Sequence, residues 1–561
     1  MDAPALLPAM TAVPLAVFGP LDWGIVGIYF AAMIYIGVIA ARKDQDTREY
    51  FLAHRSMPTW AVAISIVATS LSAATFVGVP DAAFKGNLSY LILNVGALLA
   101  VLIVATLFVP KLYKAGTVTV YGYVNERFGE SAMIAVSIMF LLGRMLASGA
   151  RLFIAAIPLG LLMFARRHDT EFQVTRWQLM LAIALIGGVG TFYTAFGGIR
   201  TVIWIDVIQF FIVVGSAALA IFLLFKAIPL PAGQIFHKLA NPGSGPGGRS
   251  KLFLCDTHID FSNPFTLWSA IFGATFLYVA AFGVDQDLAQ RFLVAKSVSR
   301  GALSLIWSQL ISIVVISGFL LIGLLLYVFY QRPDIMGRPS PPRPPDGQGI
   351  YAWFLLNQLP TILSGISIVG FFAIAQGSMD SAINALASSA VADIYYPLRR
   401  RAGHAVNPAA DVAIPKIAVA IMGICMSGLG MMCVFLYDPH DGTLLAFALG
   451  IMTFAFTGML AVFLTALLTR RGNTLSVITA LAAGVITVIL LQPALLKWWT
   501  QKIFHHAVPI TSTWWMPIGT VVSFIICVSG TPRQARDLYR KEVKGRTDSR
   551  QGPNLCRDAS K

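Results

Sequence analysis

The sequence predicts an all-α polytopic membrane protein with about 13 transmembrane helices, and three observations predict it. Of the 561 residues, 57% are hydrophobic and only 12% charged, with a mean hydropathy of +0.74, which leaves too little polar surface for a water-soluble fold. The apolar residues gather into runs of about 20, the length a helix needs to cross the hydrocarbon core. Of the 41 Lys and Arg residues, 26 fall in alternate inter-run segments, starting with the segment after the first run; the other set holds 13. Such a bias marks the richer set as cytoplasmic.

In order, the runs fall at 22–41, 56–79, 88–110, 131–164, 177–197, 201–225, 264–283, 301–330, 351–392, 412–437, 442–468, 474–492 and 511–529. Residues 1–529 then form one transmembrane domain in the cell (inner) membrane, with the N-terminus outside and a basic cytoplasmic tail over 530–561. The opening twenty residues hold four prolines and no basic n-region, so a cleaved signal peptide is not expected. The segments 226–263, with "NPGSGPGGRS", and 331–350, with "RPSPPRPPDGQG", read as flexible or polyproline-like connections. The placement of the +15 charge argues for topology and against nucleic acid as a partner. The five cysteines show no C-x-x-C pairing, so neither a disulfide framework nor a thiolate metal site is expected. H-E-x-x-H, G-x-x-x-x-G-K-[ST] and G-x-S-x-G are all missing, which removes the footholds for protease, NTPase and hydrolase chemistry.

The second run contains "SIVATSLSAATFVGVP", with five hydroxyls (Ser65, Thr69, Ser70, Ser72, Thr75) among small residues and Gly78 and Pro80 closing it. One or two hydroxyls would simply bond back to the preceding turn. Five predict a break near Thr69–Ser72, freeing carbonyls that are tolerated at membrane depth only where they line a cavity. Carbonyls and hydroxyls together make an oxygen shell for a hard cation such as sodium. The ninth run offers a second set in Ser378, Asp380, Ser381, Ser388 and Ser389. Asp206 lies in the sixth run, and Arg144 and Arg151 lie seven apart on one face of the fourth, with Ser148 between them. An ionisable group at that depth costs about 2.5–3.5 kcal/mol and must face a cavity or a partner. The plain alternative is that an arginine neutralises Asp206 or Asp380. The sharper one is that Arg144, whose fork suits a carboxylate, clamps an acidic solute.

Five co-linear motifs carry a family likeness: "ATSLSAATF", "YGYVNERFG", "GGIRTVIWIDVIQ", "DQDLAQRFLVAKS" and "SMDSAINALASSAVADIY". Over residues 22–530 the chain resembles the sodium/solute symporter family, which holds sodium-coupled sugar, sialic acid, proline, monocarboxylate and vitamin carriers. The resemblance implies a LeuT-type 5+5 inverted repeat, with halves at about 56–225 and 264–468 and peripheral helices on either side. It implies a principal sodium site at Ala68, Leu71, Ile374, Gly377 and Ser378, and a possible second at Asp206, Asp380 and Ser381. Where the family usually places two adjacent hydroxyls, this chain has Gly377 and Ser378, so one ligand is missing. Asp380 stands where relatives often have serine. For the solute the resemblance points to Ser72, Thr75, Asn94, Arg144 and Phe282. The arginine matches one that meets the substrate carboxylate in sialic acid carriers. Sugar carriers similar to this fold use glutamine and glutamate at the positions of Thr75 and Asn94, both different here. The expectation is a sodium-driven symporter, active as a monomer and without an organic cofactor, importing a small solute that bears a carboxylate. A neutral-sugar symporter, a transporter-like membrane sensor and an intramembrane enzyme are the alternatives. A sensor would normally carry a signalling domain, and no nucleophile–base pair is visible for an enzyme.

Overall fold

The computed structural model describes residues 19–40, 47–164, 174–343, 349–406, 413–436 and 444–531, apart from 242, 244 and 361. The basic tail therefore lies outside the described residues. The helices are α1 (Pro20–Ala40), α2 (Thr59–Ser70), α3 (Ala73–Lys85), α4 (Leu88–Ala115), α5 (Glu130–Phe164), α6 (Arg176–Phe196), α7 (Gly198–Ala227) and α8 (Ser269–Gly283). They continue with α9 (Gln286–Leu293), α10 (Val298–Gln331), α11 (Leu363–Arg401), α12 (Ala413–Leu436), α13 (Leu444–Leu468), α14 (Thr474–Leu490), α15 (Pro493–Phe504) and α16 (Ser512–Ser529). Among the described residues nine helices are long and apolar enough to span, and three more spans are bent pairs: α2 with α3, α8 with α9, and α14 with α15. The apolar helix α13 brings the segments to thirteen.

The expected break in the second run is present. Leu71 (ψ 140°) and Ser72 (φ −141°, ψ 172°) are extended, and the helix axis turns by 64°. Pro80 does not close the segment, contrary to the sequence reading; α3 runs through it to Lys85. A proline inside a membrane helix survives where a neighbour packs against it. Here Gly323 lets α10 come so close that an added β-carbon would sit 2.2 Å from the Pro80 carbonyl.

The run 351–392 is not one span. A short helix, Ile350–Asn357, is followed by an interruption before α11 begins at Leu363. Pro360 lacks an N–H and disfavours helix in the residue before it, and Ile362 takes a left-handed backbone (φ +75°). Asp22 of α1 then closes the new helix end, accepting the N–H groups of Ile362 (2.8 Å) and Gly365 (3.0 Å) and the Ser364 hydroxyl (3.0 Å). The α14–α15 turn of 79° was not expected either.

Helix α11 is the axis of the bundle. In its spanning window 94% of residues are buried, against 33% for α12 and for α16, so α11 meets protein where those helices meet lipid. Helix α7 packs along it, with α1, α2, α5, α6 and α12 around them. The segment 226–263, expected to be flexible, holds a helix over Ala232–Ala240 and the buried Lys251. The Lys251 ammonium donates to the carbonyls of Phe84 and Gly86, both at 2.7 Å, and so closes the C-terminal end of α3. Burial pulls that amine down to about 8.

Candidate functional site

The α2–α3 break opens onto a cavity of about 120 Å³. All five expected solute residues line it: Ser72, Thr75, Asn94, Arg144 and Phe282. Sequence reasoning did not assign four further polar lining residues, Tyr90, Tyr278, Gln309 and Ser312, nor did it give Arg151 a role there. The Gln309 amide donates to Asn94 Oδ1 at 3.2 Å, and Asn94 donates to the Leu91 carbonyl at 3.2 Å, so α4 and α10 hold each other's polar groups in place. Tyr278 and Phe282 stack along α8, with ring centroids 6.1 Å apart.

Arg144 reaches this cavity with both terminal nitrogens already engaged. Nη1 donates to Asp285 Oδ2 at 2.7 Å and Nη2 to Asp287 Oδ2. Its partners are therefore neither Asp206 nor Asp380. The stretch "DQDLAQRFL" falls between the runs 264–283 and 301–330, so the sequence reading makes it a loop and places Arg291 among the cytoplasmic cations. The structure corrects both points, because this stretch is α9, the fully buried second half of a helix bent by 57°. Asp285 caps it by accepting the Asp287 N–H at 3.0 Å. Arg291 pairs with Asp287 at 3.1 Å, four residues back, and with Asp206 Oδ2 at 3.0 Å. Three carboxylates and two guanidiniums thus alternate as Asp285, Arg144, Asp287, Arg291 and Asp206. The i, i+4 pair Asp287–Arg291 was the available signal for this helix, masked by a charge density that reads as loop.

A second, much smaller hollow lies on the other side of the break. It measures about 10 Å³, room for a single water-sized particle. Ala68, Leu71 and Ile374 line it together with Gln209, Phe210, Val213 and Ala373. Among the described residues no backbone N–H is directed at the carbonyls of Ala68 or Leu71, because the Ser72 N–H turns to Thr75 Oγ1 instead (3.3 Å). Gly377 and Ser378 follow Ile374 by about one turn on α11. The Ser378 hydroxyl donates to the Ala375 carbonyl at 3.0 Å, leaving its lone pairs for a cation.

Of the second expected set, Asp206 and Ser381 meet at an arginine, and Asp380 stands apart from it. Ser381 donates to the Gly377 carbonyl at 2.6 Å and meets Arg291 Nη2 and Thr69 Oγ1. Asp206 Oδ2 accepts from Ser65 at 2.5 Å as well as from Arg291, while its Oδ1 has no hydrogen-bond donor. Asp380 Oδ2 accepts from Tyr193, and its Oδ1 is likewise without a donor. Among the described residues no basic side chain lies within ion-pair distance of Asp380.

A family model described as the sodium:solute symporter family matches residues 50–486. The sodium/sialic acid symporter of Proteus mirabilis is 26% identical over 84% of this chain and 89% of its own length. The sodium-coupled monocarboxylate transporter 2 of Danio rerio is 26% identical over 78% of this chain and 68% of its own. A solved Na+-coupled sialic acid symporter, in a substrate-bound outward-open state, superposes with a TM-score of 0.74 at 23% identity, covering 91% of this chain and 98% of that one.

Proposed function

The chain belongs to the sodium:solute symporter family, and from that premise we propose that the solute it imports with sodium is a small organic acid. One observation carries the coupling: Leu71, in the extended linker between α2 and α3, lines both the 120 Å³ cavity and the 10 Å³ hollow. An ion held by the freed carbonyls of Ala68 and Leu71, by Ile374 and by Ser378 fixes that linker. The same linker carries Ser72 and Thr75 to the solute. Each sodium moving inward contributes about 1.4 kcal/mol per tenfold gradient and about 2.3 kcal/mol per 100 mV.

Charge selects the solute class. Asp285 and Asp287 balance Arg144 and hold its fork at the cavity wall, and Arg151 enters the same cavity two turns along α5. In this reading Arg151 meets the carboxylate and Arg144 sets the polarity of the wall beside it. The cavity is somewhat smaller than the roughly 150 Å³ that accommodates benzene, which favours short-chain carboxylates over bulkier acids. The relatives named for sialic acid and for monocarboxylates support an acidic solute. The bent pairs α2–α3 and α8–α9 open the proposed repeats, 56–225 and 264–468, with the N-terminus outside and the basic tail in the cytoplasm.

Uptake into proteoliposomes tests the reading. An inward sodium gradient should drive accumulation of small carboxylates, with amide-capped analogues and neutral hexoses left behind. Sodium-dependent uptake of a hexose, with none of any acid, overturns the assignment of the solute.

A further inference from the structure

We propose that Gln309 is a specificity-determining residue whose side-chain oxygen reads a hydroxyl on the solute, so that the site takes short-chain hydroxy acids over their plain alkyl counterparts. This rests on the organic-acid reading above and adds to it a second point of recognition, on α10. Gln309 is 3% exposed and lines the larger cavity together with Asn94 of α4 and with Ser312, one turn further along its own helix.

The orientation of its amide follows from its neighbours. The Leu91 carbonyl can only accept, so the Asn94 atom 3.2 Å from it is the amide nitrogen. Asn94 therefore turns Oδ1 toward Gln309, and that oxygen too can only accept. Gln309 must meet it with Nε2, again at 3.2 Å, which turns Oε1 away from Asn94. Reversing either amide, or both, sets two acceptors against each other.

Among the described residues Gln309 Oε1 accepts no hydrogen bond, and it is not one of the bundle's sealed polar atoms. The face left to it is the cavity that Gln309 lines. Ser312 repeats the pattern. On the same helix Ser304, Ser308 and Ser317 donate to carbonyls three or four residues back, whereas among the described residues the Ser312 hydroxyl makes no such bond. An acceptor and a hydroxyl that can give or take are thus left for the solute, one turn apart on α10.

An acceptor on the wall of a small cavity calls for a donor. A solute without one covers Oε1 and leaves it unpaired, and a site built to bond a hydroxyl rejects the analogue lacking it for that reason. The donor is neutral, because Arg144 and Arg151 line the cavity and, among the described residues, no Asp or Glu does. An ammonium would find no counter-charge at that wall.

Purified full-length protein in saturating sodium is titrated with butyrate, its monohydroxy isomers and its monoamino isomers, reading the thermal unfolding midpoint and tryptophan fluorescence. A protein that responds to none of them overturns the small-acid reading, and this inference with it. The best hydroxy isomer should bind at least about tenfold tighter than butyrate. Equal affinity overturns the inference while the small-acid reading stands. An amino isomer as tight as the best hydroxy isomer overturns the assignment of a hydroxyl. Gln309→Met, of similar length but without the oxygen, should bring the hydroxy acid to within about threefold of butyrate and leave butyrate itself within the same margin of the parent. A loss shared equally by both acids makes Gln309 only a tie to Asn94 and overturns the proposal. Gln309→Asn, which retracts the oxygen by one methylene, should erase the preference as well and serves if the methionine variant does not fold. A preference that survives in either variant overturns the proposal.

Discussion

Two of the three bent helix pairs, α8–α9 and α2–α3, finish their breaks in different ways. At α8–α9 the turn is closed by protein groups: Asp285 caps α9, Arg144 of α5 joins Asp285 to Asp287, and Arg291 joins Asp287 to Asp206 of α7. At α2–α3 a Ser72–Thr75 capping box closes the start of α3, while the end of α2 keeps carbonyls without a partner. Among the described residues the carbonyls of Ala68 and Leu71 meet no N–H, and the neighbouring Asp206 Oδ1 meets no donor. The first break is satisfied without a ligand and is therefore a structural joint. The second keeps acceptors without a partner, and the proposed sodium site rests on them. Asp206 belongs to both, one oxygen on each side.

Substitutions can break that contrast. The largest effect is expected at Arg144: its removal strands the buried Asp285 and takes one of two partners from Asp287, and breaking a buried pair of this kind costs about 3–5 kcal/mol. Arg144→Ala should therefore lose most folded protein, read as monodisperse material on size-exclusion chromatography of the solubilised membrane. A well-folded Arg144→Ala that had lost only solute affinity would move Arg144 from the joint to the solute site. Asp206→Asn should come next, lowering the unfolding midpoint and also weakening the sodium response, since it touches both breaks. If only one of the two readouts moved, Asp206 would belong to one break alone. Ser378→Ala should be mildest, raising half-saturating sodium several-fold, roughly what one neutral ligand of about 1 kcal/mol is worth, with sodium-free stability unchanged. A Ser378→Ala protein that unfolded earlier without sodium would blur the distinction between joint and site.

The open break was legible in the sequence because its signal is local. Five hydroxyls among alanines mark Thr69–Ser72, and the extended Leu71 and Ser72 lie within that window. The closed break was not legible, for a physical reason. Charged residues in pairs cancel inside the protein, yet along the chain "DQDLAQRF" has the composition of a solvated loop, and its partners Arg144 and Asp206 are more than 80 residues away. The span map failed where a proline decided the outcome in each direction: Pro360 ended a helix that hydropathy alone would have continued, and Pro80 did not end one.

Helix α11 has a consequence for how the protein is made. It carries Gln376, Asp380 and Asn384 in the segment that lies deepest in the bundle, and α1, α2, α5, α6, α7 and α12 shield it from lipid in the finished protein. A helix emerging alone from the insertion machinery has no such shield, and a single central aspartate already costs about 2.5–3.5 kcal/mol there. Five of those six neighbours precede α11 in the chain and are synthesised before it, and Asp22 on the first of them caps its N-terminus. The order of synthesis therefore places this polar helix among waiting partners, so its entry into the membrane is a step of tertiary assembly rather than of partitioning.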